Sequence, residues 1–318
     1  MKLVIQIPCY NEETTLPVTL ADIPRTIPGV DEVEILVIDD GSADRTAEVA
    51  REHDVDHIIR LTNRKGLAQA FKTGLDASLK LGADIIVNTD ADNQYKASEI
   101  PRLIQPILSG MADIVVGCRP IDDIKHFSIA KKALQKFGSW VVRGLSGTTI
   151  PDVTSGFRAY SRHAALSLNV ISEFTYTLET VIQAGKKSIA IAHLPVGTNE
   201  NLRESRLAPT AASYVKRSVG TIVRIYAMYE PLKIFTYIGV AIGLGGVALI
   251  TRFLYFYFTG GGRGHIQSLL VASILVLVGF QVVMFGLMAD LIGANRRLLE
   301  DALRRVRCLE LDLGQQDE

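Results

Sequence analysis

The sequence predicts an α/β domain with an open, mostly parallel sheet, followed by two membrane-spanning helices. Two observations carry this reading. Up to about Leu207, short runs rich in Val and Ile alternate with helical stretches, the order of a sheet covered by helices on both faces. After Pro231, the segments Ile234–Thr251 and Ile266–Ala289 hold no charged residue, and each is long enough to cross a hydrocarbon core of ~30 Å. A soluble helix of such length would show a polar face.

The apolar runs Lys2–Pro8, Val33–Asp39, Ala83–Thr89 and Asp113–Gly117 read as buried parallel strands, with a shorter strand at Asp56–Arg60. Glu13–Arg25, Ala43–His53, Lys65–Leu81 and Ser98–Ser109 read as the intervening helices, and His126–Leu145 as a further amphipathic helix. Asp152–Tyr160 reads as a strand or an extended loop, and Lys187–Pro195 as another strand. In such a sheet, ligands bind at the carboxyl ends of the strands. The expected organisation is a domain over 1–208, an interfacial amphipathic helix over 209–231, two spans over 232–294 and a charged helical tail over 295–318.

Lys+Arg and Asp+Glu both number 34, so net charge indicates no nucleic-acid partner. Cys9, Cys118 and Cys308 are far apart and fit neither a metal site nor a disulfide framework. A strand begins at Leu3 without a preceding signal-peptide pattern, so the first domain is expected to remain cytoplasmic. The link between the spans carries Arg263 as its only full charge, whereas Lys and Arg cluster on both flanks. That asymmetry places both termini in the cytoplasm of an integral membrane protein. The tail leaves two readings open, pairing with a copy of itself or lying solvated.

Four constellations sit at the expected strand ends. Pro8-Cys9-Tyr10-Asn11-Glu12 lacks the glycines of a dinucleotide-binding turn and offers a ring and polar groups suited to a nucleoside, or simply a structural turn. Asp39-Asp40-Gly41-Ser42 sets two carboxylates at a buried strand end, a costly placement unless they are paired or used. Such groups accept hydrogen bonds from a base or ribose, and Ser42 or Asp44 can also cap the next helix. Asp90-Ala91-Asp92-Asn93-Gln94 places two carboxylates one residue apart, oxygen donors suited to Mg2+ or Mn2+ completed by substrate phosphates. Asn63-Arg64-Lys65-Gly66 and Arg119 supply positive charge, with Lys65 and a helix N-terminus placed to meet phosphate.

Taken in order from Leu3 to about Arg206, these motifs resemble the family 2 glycosyltransferases. Within that family the chain is similar to the GtrB-like polyisoprenyl-phosphate glucosyltransferases of bacteria and to the dolichyl-phosphate mannose synthases. The resemblance implies a glycosyltransferase A-type fold, an inverting reaction and a divalent metal. It implies that Pro8, Tyr10, Asn11, Glu12, Asp39, Asp40, Lys65, Asp90 and Arg119 face the nucleotide-sugar donor. Asp90, Asp92 and Gln94 would surround the metal, and Asp92, Asp152 and Arg203 would serve catalysis. Asp152-Val153-Thr154-Ser155-Gly156-Phe157-Arg158 resembles the acceptor-side segment, with Asp152 near the sugar. Arg203-Glu204-Ser205-Arg206 resembles the basic loop for a polyisoprenyl phosphate, with Arg203, Ser205 and Arg206 on the acceptor. Here Arg203 stands where the family pattern has glycine.

A phosphate acceptor with a second pKa of about 6 is largely dianionic near pH 7 and needs no general base. Asp152 is therefore a base or an orienting group, with orientation favoured. The resemblance implies glucose from UDP-glucose as the donor, with mannose from GDP-mannose the alternative, and a bacterial inner membrane as the expected home. A processive polysaccharide synthase is disfavoured, because its Gln-x-x-Arg-Trp motif is missing: the single tryptophan, Trp140, follows Ser139. A non-catalytic nucleotide-binding membrane scaffold is the rival from another class, and the acidic set argues against it.

Overall fold

The computed structural model describes residues 1–120, 129–171, 175–199, 219–220, 223–224, 229–259 and 266–314, with the backbone alone at 129–137, 312 and 314. Arg203, Ser205, Arg206 and most of the expected interfacial helix lie outside the described residues. Two units result, Met1–Ile222 with Leu303–Glu318, and Val223–Ala302.

The first unit is built on seven strands: β1 (Lys2–Cys9), β2 (Glu32–Asp39), β3 (His57–Arg60), β4 (Ile85–Asn88), β5 (Ile114–Cys118), β6 (Arg158–Ser161) and β7 (Ile191–Pro195). Their order is β3-β2-β1-β4-β6-β5-β7. All neighbours pair in parallel except at β6, which runs antiparallel between β4 and β5. The segment read from sequence as Asp152–Tyr160 is thus a turn followed by a short strand. Leu3, Ile5, Ile7, Ile35, Val37 and Val87 are buried in one core layer, and Val4, Leu36, Ile38 and Ile86 are buried as well. That two-sided burial is why these strands lack an apolar–polar alternation.

The helices of this unit are α1 (Leu16–Asp22), α2 (Thr46–Glu52), α3 (Leu67–Lys80), α4 (Ile100–Leu108), α5 (Ile129–Ser146), α6 (Arg162–Ser167) and α7 (Thr177–Lys186). α1 begins three residues later than the expected Glu13. Glu12 is held in the preceding turn by Thr15 Oγ1 (2.6 Å) and Thr46 Oγ1 (2.8 Å), and a proline, Pro17, occupies the first turn. α6 and α7 had no clear sequence signal.

α8 (Pro231–Phe258) and α9 (Ile266–Gly314), the latter belonging to the second unit up to Ala302, are both long and apolar enough to cross a membrane, and their apolar windows are mostly exposed. They approach through glycine: a Cβ at Gly239 would stand 2.6 Å from the Gly279 carbonyl, and one at Gly246 2.8 Å from the Ala272 carbonyl. Small residues let helix backbones meet where apolar surroundings give no hydrophobic drive. α9 does not break at 294–295, so the expected second span and charged tail form one helix.

Candidate active site

β1, β2, β4 and β5 end on one side of the sheet, and the four motifs follow those ends. Asp39 closes β2 in register with Cys9 on β1 and Arg60 on β3. Its side chain is fully buried; Oδ1 accepts from the Ser42 amide at 2.8 Å. Oδ2 lies 3.3 Å from Arg60 Nε yet accepts no hydrogen bond among the described residues. A buried carboxylate oxygen with spare acceptor capacity suits the N–H of a base or the hydroxyl of a ribose.

Asp40 has a different task. Its two oxygens accept from the backbone amides of Lys65 (2.7 Å) and Gly66 (2.8 Å), which pins the Asn63–Gly66 loop over the β2 end. The N–H groups of Lys65 and Gly66 are therefore occupied, while the side chains of Asn63, Arg64 and Lys65 are exposed. Gly41 makes this approach feasible: it has φ +69°, and a Cβ there would stand 2.7 Å from the Asn63 carbonyl carbon. Ser42 Oγ accepts from the Asn11 amide (2.9 Å), and Asn11 Oδ1 accepts from the Ala43 amide (2.9 Å). Asn11, at φ +55°, thereby locks the β1 turn to the β2 turn. The Arg64 guanidinium lies 4.3 Å from the centre of the Tyr10 ring, a cation–π contact beside Asp39's loop. Pro8 is the penultimate residue of β1 and is buried within the sheet, so it shapes the turn from below.

Asp90 and Asp92 follow β4 and are half-buried. Asp90 lies against Gly156: a Cβ there would stand 2.8 Å from Asp90 Oδ1 and 3.0 Å from the Tyr176 hydroxyl. Asp92 Oδ1 accepts from the Gln94 amide at 3.2 Å. Among the described residues no group of three or more His, Cys, Asp or Glu is assembled. The protein thus offers two carboxylates and an amide, all oxygen donors, and a hard divalent cation here would complete its shell with diphosphate and water. The donor chemistry fits Mg2+ or Mn2+.

Arg119, just after β5, is nearly buried and ion-paired with the buried Asp152. Its Nε donates to Asp152 Oδ2 (2.8 Å), and Nη2 donates to Asp152 Oδ1 (3.3 Å) and Thr154 Oγ1 (3.0 Å). Nη1 reaches Gln94 Oε1 at 3.3 Å, so Gln94 links the acidic loop to this pair. Burial alone would raise the Asp152 carboxyl, but the Arg119 charge and the hydrogen bonds from Arg119 and Thr154 outweigh it and hold the group below its ordinary range. For Arg119, burial opposes the charge, yet the surrounding Tyr95, Asp152 and Asp90 keep it firmly protonated.

Several participants had no sequence signal strong enough to single them out. Tyr95 is buried beneath Arg119 (5.8 Å to the ring centre), and burial pushes its hydroxyl up to about 12. That hydroxyl accepts from the Gly156 amide (3.1 Å). Asn88, fully buried, accepts from Gln6 Nε2 (2.9 Å) and donates to the Gly156 carbonyl and the Tyr176 hydroxyl (both 2.8 Å). Arg158 is fully buried, and its donors go to Ser155 O, Val153 O and Thr180 Oγ1. It shapes the 152–157 turn and is withdrawn from any phosphate. Downstream, the Asn199 amide donates to the Gln94 carbonyl (2.9 Å), and Asn199 Nδ2 to the Asn93 carbonyl (3.0 Å). The segment after β7 therefore returns the chain to the acidic loop just before residue 200.

Comparison with known proteins agrees with this geometry. The description Glycosyl transferase family 2 matches residues 4–167. Polyprenol monophosphomannose synthase of Mycolicibacterium smegmatis is 28% identical over 69% of this chain and 84% of its own length. Undecaprenyl-phosphate 4-deoxy-4-formamido-L-arabinose transferase of Photorhabdus laumondii is 28% identical over 96% of this chain and 92% of its own. In fold, the chain is similar to glucosyl-3-phosphoglycerate synthase from Mycobacterium tuberculosis, solved with Mn2+, UDP and phosphoglyceric acid, at TM-score 0.57 and 19% identity, covering 71% of this chain and 78% of that one. With the family's description matched over more than half of its length, the chain belongs to glycosyl transferase family 2.

Proposed function

We propose that this protein transfers a hexose from a nucleotide-sugar to the phosphate of a polyisoprenyl lipid, with inversion, at the cytoplasmic face of a bacterial inner membrane. The observation that carries this is the convergence of Asp39, the Asp90–Gln94 loop and the Arg119–Asp152 pair at one end of the sheet, in a chain that also holds two long apolar helices. Relatives matched along nearly the whole chain are named for undecaprenyl phosphate, which supports the acceptor class.

In this reading Asp39 Oδ2 accepts from the nucleoside, Tyr10 and Arg64 flank it, and Lys65 screens the diphosphate. Asp90 and Asp92 would hold the metal, which when bound neutralises charge on the departing diphosphate. Arg119, fixed by Asp152, Thr154 and Gln94, sets a permanent positive charge beside that loop. Two anions must meet here, so positioned cations perform the central task. Asp152 is a weak base because it is held ionised; it orients Arg119, and the lipid phosphate attacks without losing a proton. Arg203 lies four residues beyond Asn199, a reach of at most about 14 Å. That span lets Arg203 meet an acceptor beside the acidic loop, with Ser205 and Arg206 following it in the same basic segment.

Glucose from UDP-glucose is the first reading, and it rests on the resemblance to the GtrB-like glucosyltransferases. Mannose from GDP-mannose is the second reading, and two relatives named for mannose favour it. The test is transfer to polyprenyl phosphate from labelled UDP-glucose and GDP-mannose, with Asp92→Asn alongside. Transfer that needs Mg2+ or Mn2+ and falls at least about 100-fold in the variant is expected. Metal-independent turnover, or no lipid-linked product from any sugar nucleotide, refutes the proposal; nucleotide binding without transfer points to the scaffold.

A further inference from the structure

α9 is a single helix from Ile266 to Gly314, about 73 Å long at 1.5 Å per residue. That exceeds twice the ~30 Å thickness of a hydrocarbon core. Its uncharged part ends at Ala289, and residues 290–314 carry ten charged side chains, a composition that belongs in water. A helix in water ordinarily turns its apolar face to its own protein. The end of α9 does the reverse. Arg304, Arg307, Cys308 and Leu311 are the half-buried side chains from 303 onward. Arg307 Nη1 donates to the Leu168 carbonyl (3.4 Å) and Asn169 Oδ1 (3.2 Å), and Nη2 lies 3.8 Å from Asp76 Oδ1. The other face is apolar and exposed: Leu299 is 70% accessible, Leu309 61% and Leu313 61%.

The spacing of that face is informative. Leu299, Ala302, Val306, Leu309 and Leu313 alternate steps of three and four, the a and d positions of a heptad. The same register runs back through Asn295, Ile292, Met288 and Phe285, all exposed, giving four heptads from 285 to 313. That is long enough to sustain a coiled coil. The flanking positions agree. In a parallel pair, a g residue faces the e residue of the following heptad on the other helix. Here Leu298 would face Leu303, and Arg305 would face Glu310. Asn295, at a d position, is the one polar residue on the stripe outside the uncharged segment.

We propose that residues 295–313 of α9 pair in parallel with the same segment of a second copy of this chain. Parallel pairing rests on the reading of α8 and α9 as membrane spans, because two copies inserted in one membrane present this helix in the same direction. The 3.5-residue periodicity and the exposed stripe stand without that reading.

The test uses the full chain in phospholipid nanodiscs and in detergent, in a Cys308→Ser background, with Cys9 and Cys118 buried. Val306→Cys on the stripe is expected to form interchain disulfide under mild oxidation, and Arg297→Cys on the outer face is not. Light scattering is expected to give a multiple of the chain mass. Arg305→Glu should weaken association about tenfold, and adding Glu310→Arg should restore it. A monomeric mass, equal cross-linking at 297 and 306, or failure of the double variant to restore association overturns the proposal. Those outcomes include the stripe being covered by lipid or by this chain's own residues. No readout depends on sugar transfer, so an inactive but paired protein supports this inference, and an active monomer refutes it alone.

Discussion

Replacing Asp152 by Asn separates an orienting ion pair from a general base. Asp152 and Arg119 have side-chain accessibilities of 1% and 8%, with Nε–Oδ2 at 2.8 Å and Nη2–Oδ1 at 3.3 Å. Arg119 cannot shed its proton, so losing the carboxylate strands a buried charge. Breaking one side of such a pair costs about 3–5 kcal/mol. For a unit of this size each kcal/mol moves the midpoint by roughly 2–4 °C, so Asp152→Asn should lower Tm by about 6–20 °C. Removing both charges with Arg119→Met and Asp152→Leu should recover most of that stability, because well-packed apolar replacements of buried pairs are often neutral, while transfer stays lost. The assay is thermal unfolding of the detergent-solubilised full chain, run beside lipid-linked product formation. pH adds a second check. The folded pKa of Asp152 is depressed, so the pair's contribution is complete above the unfolded value of about 4 and is lost as pH falls through the folded one. A base would instead impose an acid limb on kcat nearer neutrality. An Asp152→Asn protein with unchanged Tm and an abolished kcat that had shown such a limb would refute the orienting role.

Three further outcomes follow from the same contacts. Gly156→Ala drives a methyl against Asp90 at 2.8 Å and should cut transfer at least about tenfold while raising the Mg2+ or Mn2+ needed for half-maximal rate, since the carboxylate must move. Asp40→Asn leaves one of the Lys65 and Gly66 amides without an acceptor; at about 1–3 kcal/mol it should raise the donor KM several-fold with little change in lipid KM. Arg203→Ala and Arg206→Ala should raise the lipid KM even in neutral detergent; a defect confined to anionic membranes would assign them to headgroup attraction, worth about 1 kcal/mol each.

Much of the site was legible in the linear sequence because buried parallel strands announce themselves as Val/Ile runs, and chemistry collects where those runs stop. Asp39, Asp90, Asp92 and Arg119 were placed that way, as were the two long apolar segments. The division of labour within each motif was not. Asp39 and Asp40 are adjacent in sequence, yet one keeps a buried oxygen open and the other holds a loop 25 residues away. That distinction depends on the parallel pairing of β1, β2 and β3, which sets Cys9 and Arg60 beside Asp39. Likewise Arg158, which the sequence sets in the acceptor-side segment, is carried into the core because β6 inserts antiparallel between β4 and β5. Periodicity and composition report whether a segment is buried, because burial repeats along the chain with the pitch of the element. Which partner a polar group meets across the sheet is decided by strand order and register, and only the tertiary structure holds those.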